Sequence, residues 1–410
     1  MEEIKQHSPS VSGYQNAAID LQAFDEPCLK TDLICLSHLR WDFVYQRPQH
    51  LLSRFAKHRR VFFVEEPIFG DVEKATLDIS RREDALHVAV PRLPHGLPHD
   101  EVVALQRKLI DDLIATMDLN AYTLWYYTPM ALPFTRHLSP ERVIYDCMDE
   151  LSAFKGAPPA LLQLEAELFN FADHVFTGGH SLYEAKKNKH ESAHPFPSSI
   201  DYNHFAKARK GLEDPADQAA IPHPRVGFFG VVDERFDIDL IAGAAKLRPD
   251  WQFVIVGPVV KIDPASLPQL PNVHYLGQKS YKELPAYLAH WDLAMLPFAL
   301  NESTRFISPT KTPEYLAAGK PVVSTAIRDV IRPYGEEGLV HIVGSPEEFV
   351  REGELAMKEK AHDRLWLERV DQFLANTSWD ATWSGMAELE KSTNRDMFAE
   401  SPREAAANIH

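Results

Sequence analysis

The sequence predicts an α/β chain built from two similar parallel-sheet domains in tandem, and three observations carry that expectation. From Asp32 onward, short β-rich runs alternate with amphipathic helical stretches, the pattern of strand–helix–strand units. The pattern lapses between Ala206 and Pro224, where charge, alanine and proline gather as they do in linkers. At Arg225 the strand–helix series starts again.

In the first domain, DLICLSH (32–38) reads as a strand and RPQHLLSRFAKH (47–58) as a helix. RRVFFVEEP (59–67) and ALHVAVPRL (85–93) are further strands, and 99–117 is a long helix. AYTLWYYTP, RVIYDCMD and DHVFTGG continue the strands, with PALLQLEAELFNF (159–171) helical between the last two. The second series runs RVGFFGVV strand, DIDLIAGAAKLRP helix, WQFVIVGPV and NVHYLGQ strands, YKELPAYLAHW helix, DLAMLPF strand, TPEYLAAG helix and KPVVST strand. Near the end, Trp379, Trp383, Met386 and Leu389 share one helical face that must dock on something. The expected organisation is an N-terminal tail 1–30, a first domain 31–205, a linker 206–224, a second domain 225–375, a helix within 376–395 and a tail 396–410.

A length of 410 residues suits two or three domains of about 100–200 residues each. The formal charge of −16 argues against nucleic acid as a partner, since phosphate backbones select basic surfaces. Cys28, Cys35 and Cys147 are odd in number and lack C-x-x-C spacing, so neither a disulfide framework nor a cysteine zinc site is expected, and a reducing compartment is. The start has no basic segment followed by an apolar core, and no run approaches the ~18 apolar residues of a membrane span. A cytoplasmic protein with at most peripheral membrane contact is expected.

His190-Glu191-Ser192-Ala193-His194 matches the HExxH string, which binds zinc only on a helix. Pro195 pushes His194 away from helical backbone, so no metal is expected there. No G-x-G-x-x-G follows a strand and no P-loop exists. Gly178-Gly179 and Gly227-Phe228-Phe229-Gly230 are the nearest glycine-rich turns, both at carboxyl ends of predicted strands, where open α/β sheets bind ligands.

The most informative run is STRFISPTKTPEYLAAGKPVVST (303–325). Its helix starts either at Ser308-Pro309 or at Thr312-Pro313, and Gly319 suits its end. Lys311 and Glu314 lie three residues apart near that start, where a cation meets phosphate oxygens and a carboxylate accepts two hydrogen bonds from a ribose diol. The same pair also reads as a solvated surface pair.

PTKTPEYLAAGKPVVST (309–325) resembles the nucleotide-sugar signature of the GT-B glycosyltransferases, the large glycogen-synthase-like group called glycosyl transferases group 1. The likeness extends to VFTGGHSLYEA, PFPSSIDYNHF, RVGFFGVVDERFD, FVIVGP and SWDATW. The resemblance implies two Rossmann-like domains facing a cleft, with the donor held by the second domain, the acceptor by the first, and a last helix crossing back to the first. It implies a nucleotide-sugar donor, UDP- or GDP-linked, a saccharide or glycolipid acceptor, and no cofactor or metal. Carried over by position, Glu314 resembles the ribose-binding glutamate and Lys311 the basic residue at the diphosphate; Gly230, Gly257, Pro309 and Thr310 join them as donor-side candidates. Arg235 falls where the first loop of the second domain faces phosphate. Retaining members often carry a second glutamate eight positions before the first, and here that position is Phe306.

For the chemistry, Lys311 and Arg235 are expected to stabilise the leaving diphosphate. Asp149, after the strand that also carries Asp146, is the expected base on the acceptor hydroxyl, or else it caps the turn that follows. Trp41, Asp42, Gln46 and Arg47, in the loop after the first strand, are the acceptor-side candidates, with ordinary loop packing as the other reading. A nucleotide-sugar 2-epimerase of the same architecture and a non-catalytic nucleotide-sugar-binding protein are the competing functions.

Overall fold

Short runs such as Val61–Val64 are buried on both faces, the mark of central strands in a parallel sheet covered by helices on each side. A computed structural model of the chain describes residues 31–360 and 364–391. The terminal segments 1–30 and 396–410 and Cys28 lie outside the described residues. Two separate sheets form among them.

The first sheet holds β1 (Asp32–Leu36), β2 (Val61–Val64), β3 (Ile68–Gly70), β4 (Thr76–Glu83), β5 (Leu86–Pro94), β6 (Tyr122–Tyr126), β7 (Arg142–Cys147), β8 (His174–Thr177) and β9 (Ala193–Pro195). Their order is β3-β5-β2-β1-β6-β7-β8-β9, with β4 added antiparallel to β5. Helices α1 (Arg47–Phe55), α2 (His99–Thr116), α3 (Leu132–Thr135), α4 (Leu161–Phe171) and α5 (His180–Lys186) connect them. The hairpin strand β4 has no counterpart in the sequence reading, because TLDISRRE is an exposed edge strand whose charges keep its free side from pairing with another chain.

The second sheet holds β10 (Arg225–Phe229), β11 (Gln252–Val256), β12 (Val273–Tyr275), β13 (Leu293–Leu296), β14 (Val322–Thr325) and β15 (His341–Val343), in the order β12-β11-β10-β13-β14-β15 and all parallel. It carries α6 (Tyr202–Phe205), α7 (Ile238–Leu247), α8 (Leu284–Ala289), α9 (Lys311–Ala317), α10 (Arg328–Val330), α11 (Pro346–Lys360) and α12 (Arg364–Leu374). In each sheet the strand order reverses at the first strand, β1 or β10, which opens a crevice at the carboxyl ends. The two crevices face each other across one cleft.

The segment 206–224, read as a linker, instead packs on the second domain. Phe205, Ala208 and Ile221 are buried in that domain's core together with Ile200. Its charged and proline-rich residues face outward while a few apolar ones anchor it. The crossover therefore lies earlier, between Phe196, packed on the first domain, and Ile200, packed on the second.

After α12 the chain returns, and α13 (Trp379–Lys391) lies against α1. Trp379, Trp383, Met386 and Leu389 all pack into the first domain's core. Trp379 stacks on His50 at 4.6 Å, and Glu390 accepts from Arg59 at 2.6 and 2.8 Å and from Thr123 Oγ1 at 2.6 Å. The two crossings touch, since Trp379 N–H donates to the Ile200 carbonyl at 3.3 Å. Elsewhere the domains meet through Ser181 N–H on Asp329 Oδ1 at 3.0 Å, Ser198 Oγ on the Ser308 carbonyl at 2.5 Å, and the Phe306 ring against the first domain's core. Phe306, the position of the absent carboxylate, is thus an interdomain packing residue.

Candidate functional site

The cleft between the domains encloses about 900 Å³ and takes residues from both. On its second-domain wall, β10 and β11 end in Gly230 (φ +146°) and Gly257 (φ +148°), a backbone region closed to other residues. A Cβ on Gly230 would lie 2.2 Å from Lys311 Cε, so the glycine makes room for the lysine side chain. Helix α9 is held to β10 by Tyr315, whose hydroxyl accepts the Phe229 N–H at 3.0 Å.

Lys311 is the first residue of α9, with Thr310 before it, so the helix begins between the two starts the sequence offered. Pro313 then stands third in the helix, where its missing N–H falls among the donors that have no helical partner anyway. Lys311, Glu314, Pro309 and Thr310 all line the cleft. Glu314 is 5% exposed, and neither its carboxylate nor the Lys311 ammonium makes a hydrogen bond or close ion pair among the described residues. Burial raises the Glu314 pKa, with Lys311 opposing, and burial lowers that of Lys311. A buried carboxylate and a cation without close partners, one helical turn apart, are costly unless a ligand completes them.

Arg235 lies on the cleft wall and has a partner of its own. Asp233 takes its guanidinium bidentately, at 2.9 Å on Nε and 2.7 Å on Nη2, and the group lies over the Phe154 ring at 5.4 Å. It lines the cleft with its charge already matched. Asp233 and the adjacent Glu234, whose two carboxylate oxygens are buried without a hydrogen-bond partner, were not singled out in the sequence, where nothing but adjacency to Arg235 marks them.

On the first-domain wall the loop after β1 is largely committed to structure. Trp41 is 9% exposed, packs edge-on against Phe63 at 5.1 Å, and donates its N–H to Glu65 at 2.8 Å. Asp42 pairs with Arg82 at 2.6 Å on the surface, and Gln46 is the residue before α1, its N–H donating to Gln49 Oε1 at 3.0 Å. Arg47, also on the cleft wall, is tied down most firmly. It is buried and clamps Asp146, fully buried at the end of β7, through Nη2 at 2.8 Å and Nε at 3.0 Å, while Nη1 donates to the Phe196 carbonyl. A buried carboxylate at a strand end needs a countercharge, and Arg47 supplies it rather than reaching for an acceptor.

Asp149, three residues past Asp146, lies on the cleft wall. Its carboxylate makes no hydrogen bond among the described residues, so it does not cap the following turn; Glu150 precedes that turn instead. Burial pushes the Asp149 carboxyl up from 3.8 to about 6, against the pull of Arg235 and Arg47. Gly178 packs on the Met148 carbonyl, where a Cβ would come within 2.2 Å, and Gly179 backs on Asp329 and Ser308 of the second domain. The HExxH string lies in a turn and in β9, with Ser192 Oγ bonded to His174 and His194 at 2.7 and 2.9 Å. Among the described residues no cluster of three or more His, Cys, Asp or Glu side chains is arranged around a metal position, and no helix is long and apolar enough to cross a membrane.

Two facing sheets, a cleft at both strand-order reversals and a last helix seated on the first domain define the GT-B fold. Residues 223–357 match the family model of Glycosyl transferases group 1. Over 234 residues the chain is 30% identical to the putative teichuronic acid biosynthesis glycosyltransferase TuaH of Bacillus subtilis (strain 168), a match covering 53% of this chain and 59% of that one. The chain thus spans about three fifths of that relative's length. Among solved structures it resembles sucrose-phosphate synthase from Thermosynechococcus elongatus (TM-score 0.69, 16% identity, 91% of this chain and 100% of that one). It also resembles Anabaena HepE in complex with UDP and glucose (TM-score 0.60, 14% identity, 88% and 99%). These two likenesses establish the fold.

Proposed function

We propose that the protein is a glycosyltransferase that moves a sugar from a nucleoside-diphosphate sugar, UDP- or GDP-linked, to a saccharide or lipid-linked acceptor, in the synthesis of a polysaccharide or glycoconjugate. The observation that carries this reading is the Lys311–Glu314 pair, a cation and a buried carboxylate without close partners on one turn of α9, beside the glycine ends of β10 and β11. The ribose diol donates to Glu314 and the diphosphate lies against Lys311, whose side chain fills the space Gly230 leaves open. The family model matched by residues 223–357 supports the reading, as does the polysaccharide role in the relative's name.

In the transfer, the acceptor oxygen bonds to the anomeric carbon, the bond from that carbon to the diphosphate oxygen breaks, and its electron pair leaves on the diphosphate. Lys311, with Arg235 behind it, stabilises the growing charge, and no metal is called on. Asp149 takes the hydroxyl proton; a carboxyl raised to about 6 is a stronger base than an ordinary one and still ionised at neutral pH. The acceptor lies along the loop after β1, against Trp41 and Gln46, with Asp42 and Arg47 holding that loop's shape. We place its work in the cytoplasm, in keeping with the buried free thiols of Cys35 and Cys147.

A thermal-shift panel of UDP, GDP, ADP and TDP tests the binding half, because a ligand at about 100 times its Kd stabilises by about 2.7 kcal/mol. Stabilisation by none of them would remove the nucleotide site. Incubation with the preferred nucleotide sugar alone tests the transferase half, since an epimerase would convert the donor without an acceptor.

A further inference from the structure

Asp149 sits on a short loop between two buried ion pairs. On one side Asp146 is fixed by Arg47. On the other, Glu150 Oε2 meets Lys186 Nζ at 2.7 Å, and Glu150 Oε1 accepts from Ser152 Oγ at 2.7 Å. Lys186 ends α5, has a side chain only 3% exposed, and also binds both oxygens of Glu165, at 2.9 and 2.8 Å. Glu165 is held in turn by the Tyr145 hydroxyl at 3.0 Å. The groups facing the lysine are therefore Glu150 and Glu165, Cys147 and Tyr145 from β7, and Lys189, whose ammonium stands 3.9 Å from Glu165. The other end of α5 is fixed as well, by Asp329 of the second domain on the Ser181 N–H.

One carboxylate would satisfy this lysine's charge, and Glu165 already does so bidentately. The second, Glu150, has 15% side-chain exposure and stands at the base of the cleft loop, where water could have solvated it. Drawing it onto Lys186 adds little charge balance but pins the backbone next to Asp149. We infer that Lys186 is the positioning residue of the Asp149 loop, acting through Glu150 to hold the base at the reacting hydroxyl. The inference rests on the reading of Asp149 as the base.

The test uses the full chain with Glu150→Ala, which removes the tether while leaving the Lys186–Glu165 pair, and Glu150→Gln, which keeps a hydrogen-bond acceptor for Lys186. Misplacing a catalytic group by about 1 Å costs up to ~10²-fold. Glu150→Ala is therefore expected to lower kcat by at least ~10-fold and to move the acid limb of kcat/KM, with the donor KM and the nucleotide thermal shift unchanged. Glu150→Gln should restore most of kcat. Wild-type kcat and an unmoved acid limb in Glu150→Ala overturn the inference, as does a lower melting temperature with normal turnover of the folded fraction. Should Glu150→Ala not fold, a folded Lys186→Met with wild-type kcat and an unmoved acid limb would overturn it equally. Asp149→Asn, assayed alongside, separates the two claims: if it keeps normal turnover, the base assignment has failed, whatever the tether does.

Discussion

A side-chain carbon on Gly257 would lie 1.9 Å from the carbonyl oxygen of Gly230, so the carboxyl ends of β10 and β11 meet backbone against backbone. Both residues have φ near +147°, and the Gly230 N–H donates to the Val256 carbonyl at 2.8 Å. The two loops that face Lys311 are thereby fixed as one surface. Gly257→Ala has to push them apart and is strained in itself by about 1–3 kcal/mol. The expected result is a lowered melting temperature together with a nucleotide affinity reduced at least ~10-fold, read by thermal shift and calorimetry. Affinity equal to wild type would show that the two ends do not shape the nucleotide site.

Glu314→Ala should weaken nucleotide binding by about 1.5–3 kcal/mol, roughly 10–150-fold, the worth of charge-assisted hydrogen bonds to ribose. Titration calorimetry decides it, and unchanged affinity removes the ribose assignment.

Glu314→Gln carries the opposite sign for the empty protein. Burial raises this carboxyl's pKa in the folded chain, so its contribution to stability is fully present below the ordinary carboxylate value and is lost as pH rises through the raised one. Removing the charge should therefore raise the nucleotide-free melting temperature at pH 8, by about 2–4 °C for each kcal/mol relieved, and change little near pH 4. A lower melting temperature at pH 8 would mean that the carboxylate is satisfied without ligand.

Asp149→Asn should leave nucleotide binding intact and lower transfer by at least ~10²-fold. The wild-type kcat/KM should rise with pH through about 6, where the raised carboxyl loses its proton, and the variant should lack that limb. Near-normal turnover would rule out the base.

Arg47→Met leaves Asp146 buried and uncompensated, and breaking such a pair from one side costs about 3–5 kcal/mol. Arg47→Met with Asp146→Leu should recover much of the loss, since no lone charge remains. Urea denaturation of the two variants measures both; equal losses in the single and double variants would contradict a buried ion pair.

The strands were legible wherever they are buried on both faces, as in Val61–Val64 and Leu293–Leu296, because a continuous apolar run has few other readings. β4 was not, since an exposed edge strand looks like a charged loop. The segment 206–224 misled for a related reason: its composition is that of a surface, and the few buried residues that anchor it, Ala208 and Ile221, carry no periodicity. In the site, Lys311, Glu314 and Asp149 were marked by their place at strand or helix ends. Arg47 and Arg235 were equally well marked, but their roles depend on what else competes for them. Asp146, 99 residues from Arg47, is beyond any local pattern, and the Glu150–Lys186–Glu165 cluster likewise assembles only in three dimensions.

The hydrogen bond between Trp379 N–H and the Ile200 carbonyl also constrains how the molecule moves. The chain passes between the domains twice, and the two passages are tied side by side at one edge of the interface. Any change in the width of the cleft has to keep residues 196–200 and 375–379 together, or break that bond. Away from that edge the domains touch through Ser181 with Asp329, Tyr45 stacked on Tyr281, and Phe306 with the first domain. Entry of substrate and release of product thus work against the same tether.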